Sequence, residues 1–348
     1  MIDRRPTPAE IRAFRAENPK MRERDAAERL GVSEAALVAA ECGLSVVRID
    51  ADANRFLARV GELGEVMALT RNDSAVHEKI GPFEKVQAGK QATLVLGSEI
   101  DLRIFPSAWA HGFGVTKTDG DTVRRSFQFF DRAGTAVHKV HMRPASNLDA
   151  YAAILEDLRL DDQSQTFTEE ALPADMPTGD VDALELRDRW SRMTDTHQFH
   201  GMLRSLNVSR RDALHHAGDD YAEALEPAAV EAMFRGAATA DLPLMCFVGN
   251  RGVIQIHSGP VANVQTMGPW LNVMDPTFHL HLRTDHIAEA WLVRKPTSDG
   301  HVTSVEVLDA RGELIIQFFG KRKEGKMERD DWRALAEALP RLSQTAAA

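Results

Sequence analysis

Cysteine is nearly missing from this chain: two residues in 348, Cys42 and Cys246, far apart and without CxxC or zinc-type spacing. That excludes a disulfide framework and a structural zinc site, and leaves each thiol the part of a small buried hydrophobe. Long apolar runs are missing as well. No stretch approaches eighteen consecutive apolar residues, so no membrane-spanning helix is expected. The N-terminal MIDRRPTPAEIRAFRAENPKMRERD is charged and lacks an apolar signal core, so a cytoplasmic location is expected. An excess of positive charge is also lacking. Forty-two Lys and Arg against 52 Asp and Glu give a net charge of −10, which argues against a nucleic-acid partner. No GxGxxG dinucleotide fingerprint occurs.

What is present is a soluble globular composition, 43% hydrophobic and 27% charged, in a chain long enough for two domains. Residues 8–42 read as helices. Pro8-Ala9-Glu10 suits a helix start, and Ala26–Leu37 reads as helix, Gly31 turn and second helix with Ser33 as N-cap. Short β-rich runs follow from about 45 to 143: Leu44–Ile49, Val66–Thr70, Ala92–Leu96, Leu102–Phe105, Gly112–Thr116, Thr122–Phe130 and Ala136–Met142. Asp119-Gly120 and Asp131-Arg132-Ala133-Gly134 mark hairpin turns between them. Asn147–Leu160 returns to helix, with Ser146 as its expected N-cap. Residues 161–182 are acidic and polar without an apolar period, and read as a solvated linker.

After the linker the pattern begins again. Gly81-Pro82 recurs as Gly259-Pro260, Val86-Gln87 as Val264-Gln265, Val115 and Lys117 as Val293 and Lys295, and Asp131 and Gly134 as Asp309 and Gly312, each 178 residues on (259 − 81 = 178). Leu30-Gly31-Val32-Ser33 recurs as Leu206-Asn207-Val208-Ser209. The expected fold is therefore α+β, a tandem duplication of an antiparallel β-sheet unit with flanking helices. Residues 1–160 form the first repeat, 161–182 the acidic linker and 183–348 the second repeat.

The halves differ where chemistry would sit. The run Trp190–Ala213 has apolar residues at near-helical spacing and carries His197 and His200, one turn apart on one face of the expected helix. A neutral imidazole there can ligate a metal or haem iron. The first repeat offers Arg22, Arg24 and Asp25 instead, and Arg103 corresponds to His281. Asymmetry of this kind suggests one site per chain. His77, His138, His141, His279, His281 and His286 read as packing residues. His279 and His281 share a strand face, but no carboxylate or Cys nearby completes a ligand set.

Asp195-Thr196-His197-Gln198-Phe199, Leu206-Asn207-Val208-Ser209-Arg210, Arg294-Lys295-Pro296-Thr297-Ser298-Asp299-Gly300 and Gln317-Phe318-Phe319-Gly320-Lys321-Arg322 together resemble the hemin-degrading factor family, the HemS/ChuS/PhuS type of cytoplasmic haem-handling proteins. Ala75–Gly81 and Asp101–Phe105 agree, so the resemblance spans nearly the whole chain. It implies one haem per chain in a cleft between helices and the sheet of the C-terminal half. His197 would be the proximal ligand and His200 an alternative one. The same resemblance implies that Arg103, Arg210 and Arg322 contact the propionates or the distal face, that Lys295 adds charge, and that Gln317 and Phe318 line the cleft. With two tyrosines in the chain, Tyr151 and Tyr221, a tyrosine-ligated haem is disfavoured.

Read from the residues alone, Arg210 is equally a solvated helical arginine, Lys295 an exposed residue before a hairpin turn, and Arg322 part of a basic edge strand with Lys321 and Lys323. Two functions follow from the resemblance. One is a haem-binding protein for iron acquisition, which accepts imported haem and passes it to a haem oxygenase or an apo-protein, with an importer as the upstream partner. The other is an enzyme that opens the porphyrin with O₂ or peroxide and external electrons. A DNA-binding regulator rests on Leu30–Leu37 alone, and the acidic balance opposes it.

Overall fold

The computed structural model describes residues 4–172, 179–322 and 325–342. Two compact units make up the chain, and they are not simple halves. Met1–Arg71, Glu78–Pro173 and Gly249–Gln255 form the first, and Asn72–His77, Ala174–Val248 and Ile256–Ala348 the second.

In the first unit, three helices precede the strands. Thr7 opens helix Pro8–Glu17 through a capping box with Glu10. Gly31, at φ 66°, ends helix Glu23–Leu30, and Ser33 accepts the Ala36 N–H to start helix Glu34–Ala39. The second unit repeats the device. Asn207, at φ 54°, ends helix Gln198–Leu206, and Ser209 accepts the Asp212 N–H ahead of helix Arg210–Ala217. Gly and Asn are the residues that enter the left-handed region at least cost, so one sequence change preserves the turn.

Each unit contains a five-stranded antiparallel run. In the first its order is Val46–Ile49, His111–Asp119, Thr122–Phe130, Ala136–Met142 and Val66–Arg71. In the second it is Ala222–Leu225, Glu289–Thr297, Gly300–Leu308, Leu314–Gly320 and Leu244–Gly249. The last four strands begin and end 178 residues after their counterparts (289 − 111 and 297 − 119, for example). A bulge between Phe129 and Phe130 recurs between Val307 and Leu308, so even the irregularity is copied. Both units add a three-stranded antiparallel ladder: Val86–Gln87, Thr93–Leu96 and Asp101–Ile104 in the first, Val264–Met267, Trp270–Met274 and Phe278–Arg283 in the second. The α+β class and the tandem duplication are thus both seen in the structure.

Strand alternation sorts the second unit's side chains into two cores. Leu292, Val305, Val307, Ile316 and Phe318 face helices Ala229–Thr239 and Asp330–Glu337 through Phe234, Met233 and Trp332. Trp291, Val293 and Leu308 take the other face, under Trp190, Phe199, Met202, Leu203 and Leu214. The first unit's main core gathers Phe56, Trp109, Phe127, Phe129 and Tyr151.

Three local expectations are revised. Asn147, not Ser146, caps helix Leu148–Leu158; the Ser146 hydroxyl donates instead to the Glu65 carbonyl and accepts the Arg143 N–H. The Trp190–Ala213 run is not one helix, because Ala183–Ser191, Gln198–Leu206 and Arg210–Ala217 are separate, with Asn207 and Ser209 supplying stop and start. In the acidic stretch, residues 161–172 are held against the first unit, and 173–178 lie outside the described residues. Gln163 both accepts the Arg48 N–H and donates to the Arg48 carbonyl, Gln165 donates to the Cys42 carbonyl, and Glu169 accepts the Ser33 N–H. Polar side chains there satisfy backbone groups of an edge strand and a helix start.

The repeated Asp-x-x-Gly turn shows why its glycine recurs. Gly134 sits at φ 80°, its carbonyl accepts the Ala35 N–H, and a Cβ would lie 2.3 Å from the Ser33 Oγ. Gly134→Ala should cost roughly 2–4 kcal/mol, from left-handed strain plus displacement of the helix cap. Urea unfolding of the intact chain checks this; an unchanged midpoint would show that the turn does not hold the helix.

Candidate functional site

The second unit builds a polar site where helix Gln198–Leu206 crosses the sheet. Helix Ala183–Ser191 ends at Arg192, and the chain turns through residues 192–197 before the next helix. This turn is tied at both sides: the Ser298 N–H donates to the Thr194 carbonyl, and Gln198 Oε1 accepts the Thr194 N–H. His197 occupies the N-cap position of the following helix, with helical dihedrals of −67° and −22°, not its interior. Its ring is 85% exposed.

Asp195 fixes that ring. One carboxylate oxygen, Oδ1, accepts both the His197 backbone N–H and the ring Nδ1–H, each at 2.7 Å. These two hydrogen bonds, with the Arg322 charge adding, hold the Asp195 carboxyl below its usual range. With Nδ1 protonated on the carboxylate, the lone pair of the exposed ring is on Nε2, the arrangement seen when an outer carboxylate orients an imidazole ligand. His200 is exposed one turn on; partial burial, together with Arg210 and Arg204, lowers its pKa and favours the neutral, ligating form.

Beneath the helix lies a charged cluster. Phe199 packs edge-on against fully buried Trp190, with centroids 4.7 Å apart, and Trp190 Nε1 donates to the Arg294 carbonyl at 2.9 Å. The Phe199 ring also receives two cations, Lys295 Nζ at 4.6 Å and the Arg210 guanidinium at 5.1 Å. Both cations bond Glu306, which is wholly buried and also accepts the Ser304 hydroxyl at 3.1 Å. Burial pushes the Glu306 carboxyl upward, but Lys295 and Arg210 outweigh it and hold the pKa at about 2. Burial pulls the Lys295 ammonium below its ordinary value, against the opposing pull of Glu306. We take the ion pair as formed at neutral pH, because the carboxylate can shed its charge only by leaving two cations unanswered.

The second unit therefore brings together His197, His200, Arg210 and Lys295, with Arg322 near enough to act on Asp195. Gln317 is half-buried on the same sheet face as Glu306, its cross-strand partner. Phe318 departs from expectation: it is fully buried in the opposite core, 5.0 Å from Phe234, because alternation turns it away from Gln317 and Phe319. Half-buried Phe319 lies on the Gln317 face instead, its ring 5.9 Å from Lys295 Nζ. Lys295 is not the exposed turn residue that its neighbours suggested but a core cation, 3% exposed. Arg103 belongs to the first unit, where its guanidinium pairs with Asp101 and the Leu102 carbonyl. Of the basic group at the strand end, Lys321 and Arg322 are described, whereas Lys323 lies outside the described residues.

Sequence reading missed Glu306 and undervalued Phe199 and Asp195. A signal for Glu306 was present: in Val302–Leu308 it is the one charge among apolar and hydroxyl residues, where a charge must have a partner.

These features define a class: a two-repeat α+β protein with a carboxylate-oriented, solvent-facing histidine above a buried cationic floor. Comparison with known proteins agrees. A family model described as the haemin-degrading HemS.ChuX domain matches residues 31–158 and again 207–339. The hemin transport protein HmuS of Yersinia pestis is 36% identical over 329 residues, covering 94% of each chain. Holo-PhuS, a heme-binding protein from Pseudomonas aeruginosa, superposes with a TM-score of 0.94 at 44% identity, covering 97% of this chain and 100% of that one. The heme degrading enzyme ChuS of Escherichia coli O157:H7 superposes at 0.88 with 35% identity, over 94% and 97% of the two chains. This chain belongs to the HemS/ChuX haemin-degrading domain family.

Glu306 gives the site a pH dependence with a definite sign. Its folded pKa, about 2, lies below the ordinary 4.5, so its stabilisation is fully present above 4.5 and is lost as pH falls through 2. The stability difference between wild type and Glu306→Gln, from urea unfolding at a series of pH values, should be constant above about pH 5 and shrink below it. A difference that does not change down to pH 2.5 would mean that the carboxylate is not ionised in the folded chain.

Proposed function

We propose that this chain binds one haem as cargo in the second unit, with His197 Nε2 as proximal iron ligand and His200 as the alternative. The single observation that carries the reading is the Asp195–His197 pair: an exposed imidazole whose Nδ1 is held by a carboxylate at 2.7 Å, leaving Nε2 to a ligand. The donor set fits the group. Haem needs an axial nitrogen, an apolar or aromatic wall and fixed cations for two carboxylates. His197 supplies the first, half-buried Phe319 the second, and Arg210 and Arg322 the third, with Lys295 adding charge from beneath. In this proposal Arg210 is the most accessible propionate partner, because its guanidinium keeps donors beyond the one given to Glu306. Gln317 contributes a polar edge.

The same reading makes the chain a cytoplasmic carrier that receives haem from an importer and gives it to a haem oxygenase or an apo-protein. One histidine ligand on an exposed turn suits release as much as capture. The iron porphyrin, when bound, would supply any oxygen chemistry; the chain would hold it by His197 and orient it by its cations. A second reading, the degrading enzyme, is favoured by the likeness to ChuS, the heme degrading enzyme of E. coli O157:H7.

Haem titration tests the proposal. Wild type should show a saturable one-to-one Soret shift. His197→Ala should weaken or redirect coordination, and the double variant with His200→Ala should lose histidine ligation while remaining folded. A double variant with the wild-type spectrum would remove His197 from the account. Asp195→Asn should lower haem affinity roughly 10–100-fold, as loss of an outer partner of a metal-bound imidazole does; unaltered affinity would mean that the pair does not orient the ligand. Adding ascorbate, then NADPH with a reductase, in the presence of catalase separates the two functions. Survival of the Soret band marks a carrier, and its loss with new bile-pigment absorption marks an enzyme.

A further inference from the structure

The two repeats answer their strand lysines from opposite sides, although Lys117 is exposed and Lys295 is buried. In the first unit Lys117 pairs with Glu23, and Lys139 with Glu23 and Glu34. The strands there carry the cations and the helices the carboxylates. The residue of the second unit that corresponds to Lys117 is Lys295 (295 − 117 = 178), still a strand lysine. Its counter-charge has moved. Glu23 and Glu34 correspond to Phe199 and Arg210 (199 − 23 = 176 and 210 − 34 = 176), so both helical carboxylates are gone and one has become a cation. Gln128 of the first repeat corresponds to Glu306 (306 − 128 = 178), and this strand carboxylate is now the anion. Two cations share it, so the cluster carries a surplus positive charge on the helix side.

Burial decides which of the three groups can meet a ligand. The side chain of Glu306 is 0% exposed and that of Lys295 4%, whereas that of Arg210 is 21% exposed, with its guanidinium over the Phe199 ring. A carboxylate arriving from solvent would meet Arg210 first, and would find it already bonded to Glu306.

We propose that Glu306 is an internal counter-anion that holds Arg210 and Lys295 in place in the ligand-free chain and competes with the carboxylates of the ligand for Arg210, thereby setting how readily the ligand leaves. This deepens the haem-binding proposal and rests on it: the competing carboxylates are the porphyrin propionates. The internal carboxylate does two opposed things. It keeps the cations from repelling each other when no ligand is bound, and it weakens the potential that a bound propionate feels. A site made for release requires both. The first repeat, with Gln128 at this position, indicates that an amide of the same size is compatible with the strand.

The experiment uses the full chain and three probes: haem, iron-free protoporphyrin IX, which keeps the propionates but lacks the axial bond, and protoporphyrin IX dimethyl ester, which lacks the carboxylate charge. Glu306→Gln should bind haem and iron-free protoporphyrin about tenfold more tightly than wild type, release haem correspondingly more slowly to a scavenging apo-protein, and bind the dimethyl ester unchanged. Its ligand-free form should melt at a lower temperature, and the shift produced by haem should be larger than in wild type. Unchanged or weaker binding of the two dicarboxylates, or equal tightening of the ester, overturns the proposal. Should Glu306→Gln fail to fold, the double variant Lys295→Met with Glu306→Gln removes the buried pair together and leaves Arg210 without a competitor. The same ranking of probes is then expected, and its absence overturns the proposal equally. Failure of wild type to bind haem would refute the haem reading itself, whereas wild-type binding with no effect of the variants refutes this inference alone.

Discussion

A carboxylate with no solvent exposure cannot stay charged by itself, and in this chain Glu306 dictates what surrounds it. Its requirement for cations fixes Lys295 on the neighbouring strand and Arg210 at the first turn of the helix that follows Ser209. Those cations in turn set the floor under Phe199, which carries the helix beginning at Gln198. The exposed His197 turn is therefore anchored through an aromatic ring to an ion cluster, and not only through apolar packing against Trp190. Such a cluster adds modestly to stability compared with an apolar replacement, but removing one member leaves a buried charge. Its worth is in geometry: it holds cations at defined places beside a histidine whose own ring is set by Asp195.

Duplication supplied the frame for this arrangement. The ends of four strands, the bulge at Phe129 and Val307, and the turn glycines Gly134 and Gly312 are all repeated at one spacing, so both units solve the backbone problem in the same way. Among the many positions that differ, a few polar ones on the sheet face below the helices change the charge pattern. Exchanging Glu23, Glu34 and Gln128 for Phe199, Arg210 and Glu306 leaves shape and hydrogen-bond geometry nearly intact while reversing which side of the interface carries positive charge. An anionic, flat, partly apolar ligand is the one that the second version suits, which is why the asymmetry between repeats carries more functional information than their likeness.

Much of this was legible from the residues. The repeat was visible because turn residues such as Asp131 and Gly134 tolerate little change, and Ser33 and Ser209 announced helix starts that the structure contains. The break at Asn207 was legible through its likeness to Gly31, whereas the break before His197 was missed because apolar spacing continues across it; its signal lay in Asp195, whose side chain closes a turn on the His197 N–H. Lys295 was read from its neighbours in the Pro-Thr-Ser-Asp-Gly turn, and its burial depended on Glu306, eleven residues away in sequence but on the adjacent strand. Phe318 and Phe319 could not be assigned to faces until the strand register was known. Side-chain pairing across strands and the choice of face are tertiary facts, and a single sequence states them only where a charge interrupts an apolar alternation.

The most direct test of the account is the crystal structure of the full chain loaded with haem at one equivalent. The account predicts iron bonded to Nε2 of His197, Nδ1 still held by Asp195, Phe319 beside the porphyrin and a propionate on Arg210. Iron bonded to a residue outside the His197–His200 turn, or a propionate side directed away from the cluster that Glu306 organises, would contradict it.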